Sequence, residues 1–249
     1  MRLYEELLEK LLSVRQGEID SLVLSWKGSA VRFKDGRWGI GAVPPEGAAV
    51  LSTREDHTRG LLARESSELI KLLASPYPQE YAAATAVAAA LAPPVEGEPL
   101  ESLLSLPGKD RVSLITPDPF VADFLRDWNW NISIFDDKKR GRNTLPEWTA
   151  SQHLAGSGWL WITAECFRTR SFFSFLPRIK GKKVILQGPG APFIPEVYGR
   201  AGISYLVIPR TGGANHEGPF RYIGAGGSPW RCPDLSWRVY NLSSRRGEQ

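Results

Sequence analysis

The sequence predicts an α/β protein, with a Rossmann-like parallel-sheet domain preceded by a small α+β domain. Three observations carry this. From residue 111 onward, short continuous apolar runs alternate with helical segments, the pattern of a parallel sheet covered on both faces. Before residue 93, a helix is followed by short strand-like runs and then by further helices. Between the two lies Pro93-Pro94-Val95-Glu96-Gly97-Glu98-Pro99, a linker by its proline and charge. The expected domains are 1–92, a linker with a short helix over 93–110, a Rossmann-like domain over 111–235 and a C-terminal tail over 236–249.

Each element has its own local signal. Leucines at 3, 7, 8, 11 and 12 recur at helical spacing and predict an amphipathic helix over 3–14, capped by Gly17. Strand-like runs follow at 19–26, 30–34 and 37–43, and Asp35-Gly36 supplies the positive φ of a tight hairpin. Helices are expected over 59–73 and 78–91, the second dominated by alanine, which lets a neighbouring element approach closely. A short helix over 100–106 leads into the second domain. There, strands are expected at 112–116, 132–135, 159–163, 184–187 and 205–208, with helices at 148–154, 171–176 and 195–200. Asp118 followed by Pro119 is a strong helix start, and Phe120, Val121, Phe124, Leu125 and Trp128 share one face of that helix.

Composition narrows the class. The 249 residues are 42% hydrophobic, enough chain for one large domain or two ordinary ones. Two cysteines make no disulfide framework, the N-terminus mixes charges with its leucines, and the apolar run 81–92 is too short for a bilayer. A cytoplasmic protein without a membrane role is expected. The net charge of +4 hides an asymmetry: residues 1–110 carry −4, and residues 111–249 carry +8 with seven of the nine tryptophans. The basic residues are scattered, so Lys138, Lys139, Arg140 and Arg142 near Trp128, Trp130 and Trp148 read as a solvated loop and no nucleic acid is expected as partner.

Open parallel sheets bind ligands at the carboxyl ends of their strands. The residues there are Thr116 and Asp118, Asp136, Thr163 with Glu165 and Cys166, and the loop Gly188-Pro189-Gly190-Ala191-Pro192. The first loop lacks the Gly-x-Gly-x-x-Gly fingerprint, and Asp118 puts a carboxylate where a pyrophosphate would sit, so NAD is not expected. Asp136 stands near the place of a ribose-binding acid, although a solvated strand-end acid is the commoner role. The glycine-proline loop either brings bare backbone up to a ligand or is a structural turn. No zinc spacing, serine-hydrolase elbow or phosphate loop occurs. The candidate metal groups are therefore Glu165, Cys166, His216 and Cys232, with Glu165 or Cys166 as the candidate reactive group. A buried, inert Cys166 is the commoner case.

Two blocks together resemble a known family. Residues 21–43 (SLVLSWKGSAVRFKDGRWGIGAV), with the alanine helix after Ser75-Pro76-Tyr77-Pro78, resemble the DUF4213 domain, an enolase-N-terminal-like unit. Residues 161–176 followed by 184–208 resemble the DUF364 domain, named for heavy-metal chelation. The resemblance implies an enolase-N-terminal-like domain joined to a Rossmann-like domain, with a ligand cleft between them. Thr169-Arg170-Ser171 stands where the family pattern has Asn-Gly-Thr, and Gly188-Pro189-Gly190-Ala191-Pro192 stands where it has Gly-Pro-Ser-Thr-Pro. Arg168 and Arg170 replace neutral residues and favour an anionic ligand.

The expected function is the binding of a small anionic molecule or a metal complex, with a divalent heavy-metal ion as the cofactor the resemblance implies. Thr116, Asp118, Asp136, Thr163, Arg168, Thr169, Arg170, Ser171, Gly188, Pro189, Gly190 and Pro192 are the expected ligand-binding residues. The alternatives are an enzyme acting on a small anionic substrate through Glu165 or Cys166, and a structural or partner-binding protein. A homo-oligomer is left open.

Overall fold

Leucines three and four residues apart put one face of α1 (Arg2–Ser13) inward, and Leu3, Leu7 and Leu11 are buried while Leu12 stays exposed. The structure is a computed structural model describing residues 2–41, 60–61, 64–106, 111–137, 143–169, 171–211 and 217–243. The chain divides into two compact units, neither of them one stretch of sequence. The first comprises Met1–Glu96, Gly188–Val197 and Ile208–Trp237; the second comprises Gly97–Gln187, Tyr198–Val207 and Arg238–Gln249. One cut falls inside the proline-rich segment read as a linker.

In the first unit, β1 (Ile19–Leu24), β2 (Ser29–Phe33) and β3 (Trp38–Gly41) form an antiparallel sheet in that order. Gly36 takes a φ of 87° and Asp35 accepts from the Arg37 N–H, as the Asp-Gly turn requires. Residues 42 and 43 of the expected third strand lie outside the described residues. The helix expected over 59–73 is seen in part, as α2 (Ser66–Leu69) running into a 3-10 turn.

The alanine helix α3 (Pro78–Leu91) has no polar stripe, because it is buried nearly all round. A Cβ on Gly39 would stand 2.3 Å from both the Ala86 carbonyl oxygen and the Ala90 nitrogen. Glycine on the strand and alanine on the helix therefore bring the two backbones together. Ser29 Oγ completes the contact by donating to the Ala82 carbonyl at 2.7 Å.

An eight-stranded sheet dominates the rest, in the order β4-β11-β10-β9-β8-β5-β6-β7. Its strands are β4 (Glu98–Pro99), β5 (Arg111–Ile115), β6 (Asn131–Phe135), β7 (Thr144–Leu145), β8 (Trp159–Thr163), β9 (Lys183–Gln187), β10 (Tyr205–Thr211) and β11 (Leu235–Asn241). From β10 to β7 the neighbours run parallel, and β11 pairs antiparallel with β4. The five expected strands are present. The tail expected over 236–249 is corrected: residues up to 241 belong to β11, whose Val239 and Tyr240 are buried.

The parallel strands read as continuous apolar runs because both faces are covered. Trp159 and Trp161 are fully buried, and the Trp161 indole N–H donates to Gln187 Oε1 at 2.6 Å. Between strands run α4 (Leu100–Leu104), α5 (Pro119–Asp127), α6 (Ala150–His153), α7 (Glu165–Arg168), α8 (Ser171–Phe175) and α9 (Pro195–Arg200). The Asp118 side chain accepts from the Phe120 N–H, confirming the expected cap of α5. Among the described residues, no helix is long and apolar enough to cross a membrane.

Candidate functional site

The strand order places a switch point. After β5 the chain adds β6 and β7 on one side, then returns to add β8, β9 and β10 on the other. The crevice where the order reverses lies at the carboxyl ends of β5 and β8, the place where open α/β sheets bind ligands. Thr116 follows β5 and Thr163 ends β8, and their hydroxyl oxygens are 2.9 Å apart across it.

Thr116 is not the last strand residue, as the sequence suggests, but a turn residue with a φ of 47°. A threonine in the left-handed region costs on the order of 1–3 kcal/mol, a strain concentrated at functional sites. That turn aims the hydroxyl along the strand ends. Thr116 Oγ1 donates to its neighbour Ile115 O at 2.9 Å and meets Cys166 Sγ at 3.6 Å. In the contacts with Thr163 and with the Cys166 thiol either partner can donate. Ser171 reaches the same sulfur, and its hydroxyl is 2.9 Å from that of Thr169. Thr116, Thr163, Cys166, Thr169 and Ser171 thus form one chain of hydroxyl and thiol groups.

Glu147 joins this chain, and nothing in the sequence singled it out. It opens the 3-10 turn Glu147–Thr149 after β7, held by its backbone N–H donating to Asp137 Oδ1 at 2.8 Å. Ser171 hydrogen-bonds its carboxyl, yet Oε1 is buried with no partner. Burial is the main force raising the Glu147 pKa; Ser171 opposes it, and the charges of Asp137, Glu165 and Asp136 add to it. The only available sequence signal is Leu145-Pro146 ahead of it, which marks a turn and not an acid with a task.

The other expected residues fall as follows. Asp118 caps α5, its Oδ1 accepting from the Phe120 N–H at 2.9 Å. Asp136 is buried at the end of β6, not solvated, and its N–H donates to the Leu145 carbonyl. Glu165 is half-buried in the first turn of α7. Burial pushes the Cys166 thiol up to about 12, so at neutral pH it stays protonated, against a role as nucleophile. Cys232 belongs to the other unit and is buried there, with its pKa raised by that burial. Gly188, Pro189, Gly190 and Pro192 also belong to the first unit. Arg170 and His216 lie outside the described residues, as do the Arg168 side chain and the basic run Lys138, Lys139, Arg140 and Arg142.

A family model described as "DUF364: Putative heavy-metal chelation" matches residues 98–241, more than half of the chain. The chain belongs to the DUF364 family. Two solved DUF364 proteins of unknown function share its fold. That from Pyrococcus horikoshii is 17% identical, with a TM-score of 0.72 over 96% of this chain and 98% of its own. That from Desulfitobacterium hafniense is 14% identical, with a TM-score of 0.76 over 97% and 99%. No curated protein matches the chain. The first 97 residues precede the matched segment.

A bare heavy-metal ion does not fit the described residues of this DUF364 chain. Soft metals select thiolate and imidazole, whereas the crevice offers hydroxyls, carboxyls and one protonated thiol. Among the described residues, no three of His, Cys, Asp and Glu group closely enough to hold a metal ion.

Proposed function

We propose that this DUF364 protein binds a small polar molecule at the carboxyl ends of β5 and β8, with Glu147 as the group that shares a proton with it. The supporting observation is the buried, unpartnered Oε1 of Glu147 beside the hydroxyl chain at the switch point. A buried polar atom left without a partner costs about 1–3 kcal/mol, which a ligand donor recovers. Because its pKa is raised, the same carboxyl can donate when protonated and accept when ionised. Asp136, Asp137 and Glu165 make the surroundings negative, so the ligand is neutral or cationic at this edge.

The family's chelation theme enters as binding of a metal complex, in which the bound molecule brings the remaining metal ligands. A reaction at this place would run through the Glu147 carboxyl, with Glu165 beside it, before the Cys166 thiol. The two free, buried cysteines support a cytoplasmic setting, and the resemblance of residues 21–43 supports a DUF4213, enolase-N-terminal-like assignment for residues 1–92.

Ligand-observed NMR with acetamidine, acetamide and acetate tests the reading. Acetamidine and acetamide are expected to bind, acetate not. E147Q should weaken acetamidine about tenfold or more while circular dichroism stays unchanged. Equal binding to E147Q, or a preference for acetate, overturns it.

A further inference from the structure

The first unit holds a cavity of about 190 Å³ that the crevice reading does not use. Its walls are Trp38 and Ile40 of β3, the end of α3 from Ala89, the loop Pro189-Gly190-Ala191 and the segment 208–210. The recess is built by the backbone. Gly39 and the alanines of α3 bring β3 against the helix, as described above. The Phe193 N–H donates to the Ala92 carbonyl at 3.1 Å, tying the loop to the helix end. Gly190 turns with a φ of 97°, which a side chain would resist.

Its chemistry is lopsided. The named walls are indole, aliphatic and proline surface, and among the described residues Arg210 is the one charged residue lining it. The Arg210 carbonyl accepts from Ser236 Oγ, while among the described residues its guanidinium has neither ion pair nor hydrogen bond. Arg210, half-buried, brings one positive charge to the cavity's lining, and a guanidinium's planar fork matches a carboxylate in two parallel hydrogen bonds. The size sets the rest of the ligand: an apolar cavity of roughly 150 Å³ accepts benzene, so this one accepts a single ring bearing one small group.

We propose that this cavity binds a small organic monocarboxylate with a one-ring or short branched apolar body, the carboxylate on Arg210 and the body against Trp38, Ile40 and the prolines. The proposal is independent of the crevice reading, which concerns the other unit and a neutral or cationic ligand. It also gives Pro189, Gly190 and Ala191 of the glycine-proline loop a task as cavity wall.

Sodium benzoate is the probe, with benzyl alcohol as its uncharged counterpart, measured by titration calorimetry and thermal shift on the full chain. Benzoate should bind and raise the Tm. R210Q should weaken benzoate about tenfold or more and leave benzyl alcohol unchanged. A89L, which fills the cavity with a good helix former, should abolish both, and E147Q should alter neither. R210K is a second charge variant, expected to fall between wild type and R210Q. No benzoate binding at millimolar concentration, or equal binding by folded R210Q, overturns the proposal.

Discussion

Two candidate sites in one chain solve opposite problems. The crevice of the second unit is lined with hydroxyls and carboxyls, because strand ends and the turns after them expose Thr116, Thr163, Ser171 and Glu147. The cavity of the first unit is apolar with one cation, because glycine, alanine and proline shape it and Arg210 edges it. The comparison shows that overall charge does not predict local field. Residues 111–249 carry the net positive charge, yet they supply the acidic crevice. A balance of scattered surface charges governs solubility; a site's field comes from the few groups turned toward it.

The largest expected effect strikes the first unit alone. Gly39→Val puts side-chain carbons against the α3 backbone, where even a Cβ stands at 2.3 Å. A cost on the order of 3–5 kcal/mol is expected, read as a lower urea midpoint, together with loss of benzoate binding. Retained stability would break the account of how that cavity is built. Next in size, Asp118→Ala removes the α5 cap and should cost about 1 kcal/mol while leaving acetamidine binding at the crevice intact. Loss of acetamidine binding in that variant would make Asp118 a ligand group as well as a cap.

The smallest effect is a pH slope. Glu147 holds its proton more tightly folded than unfolded. Between the ordinary carboxylate value and its raised folded value the native state binds more protons, so its contribution to stability falls as pH rises through that window. Urea midpoints measured across acid to neutral pH should fall less in E147Q than in wild type. Identical slopes would mean that Glu147 titrates normally and that the crevice is more open to water than its burial implies.

Much of the architecture is legible one element at a time. The strands at 159–163 and 205–208, the helix at 195–200, the Asp35-Gly36 turn and the Asp118 cap all appear where local pattern places them. Thr116 after β5 meets Thr163 and Cys166 at the end of β8, and Thr169 pairs with Ser171 beside them. Glu147 was missed because its place depends on a bond from its N–H to Asp137 ten residues earlier, across a two-residue strand too short to show periodicity. β11 carries little local signal for a related reason: Leu235–Asn241 is only partly buried, and its neighbour β4 is two residues long.

By itself the sequence determined what depends on neighbours along the chain. Caps, turns and strand runs are settled by φ preferences and hydrogen bonds spanning two to four residues, and their signals survive in any reading of the string. Only the tertiary structure decided which strands stand side by side, hence that β5 and β8 flank a crevice, and that segments 188–197 and 208–237 join the N-terminal unit. Those pairings bring together residues some 50 positions apart, as with Thr116 and Cys166. Their selection rests on burial summed over a whole sheet, which no local window contains.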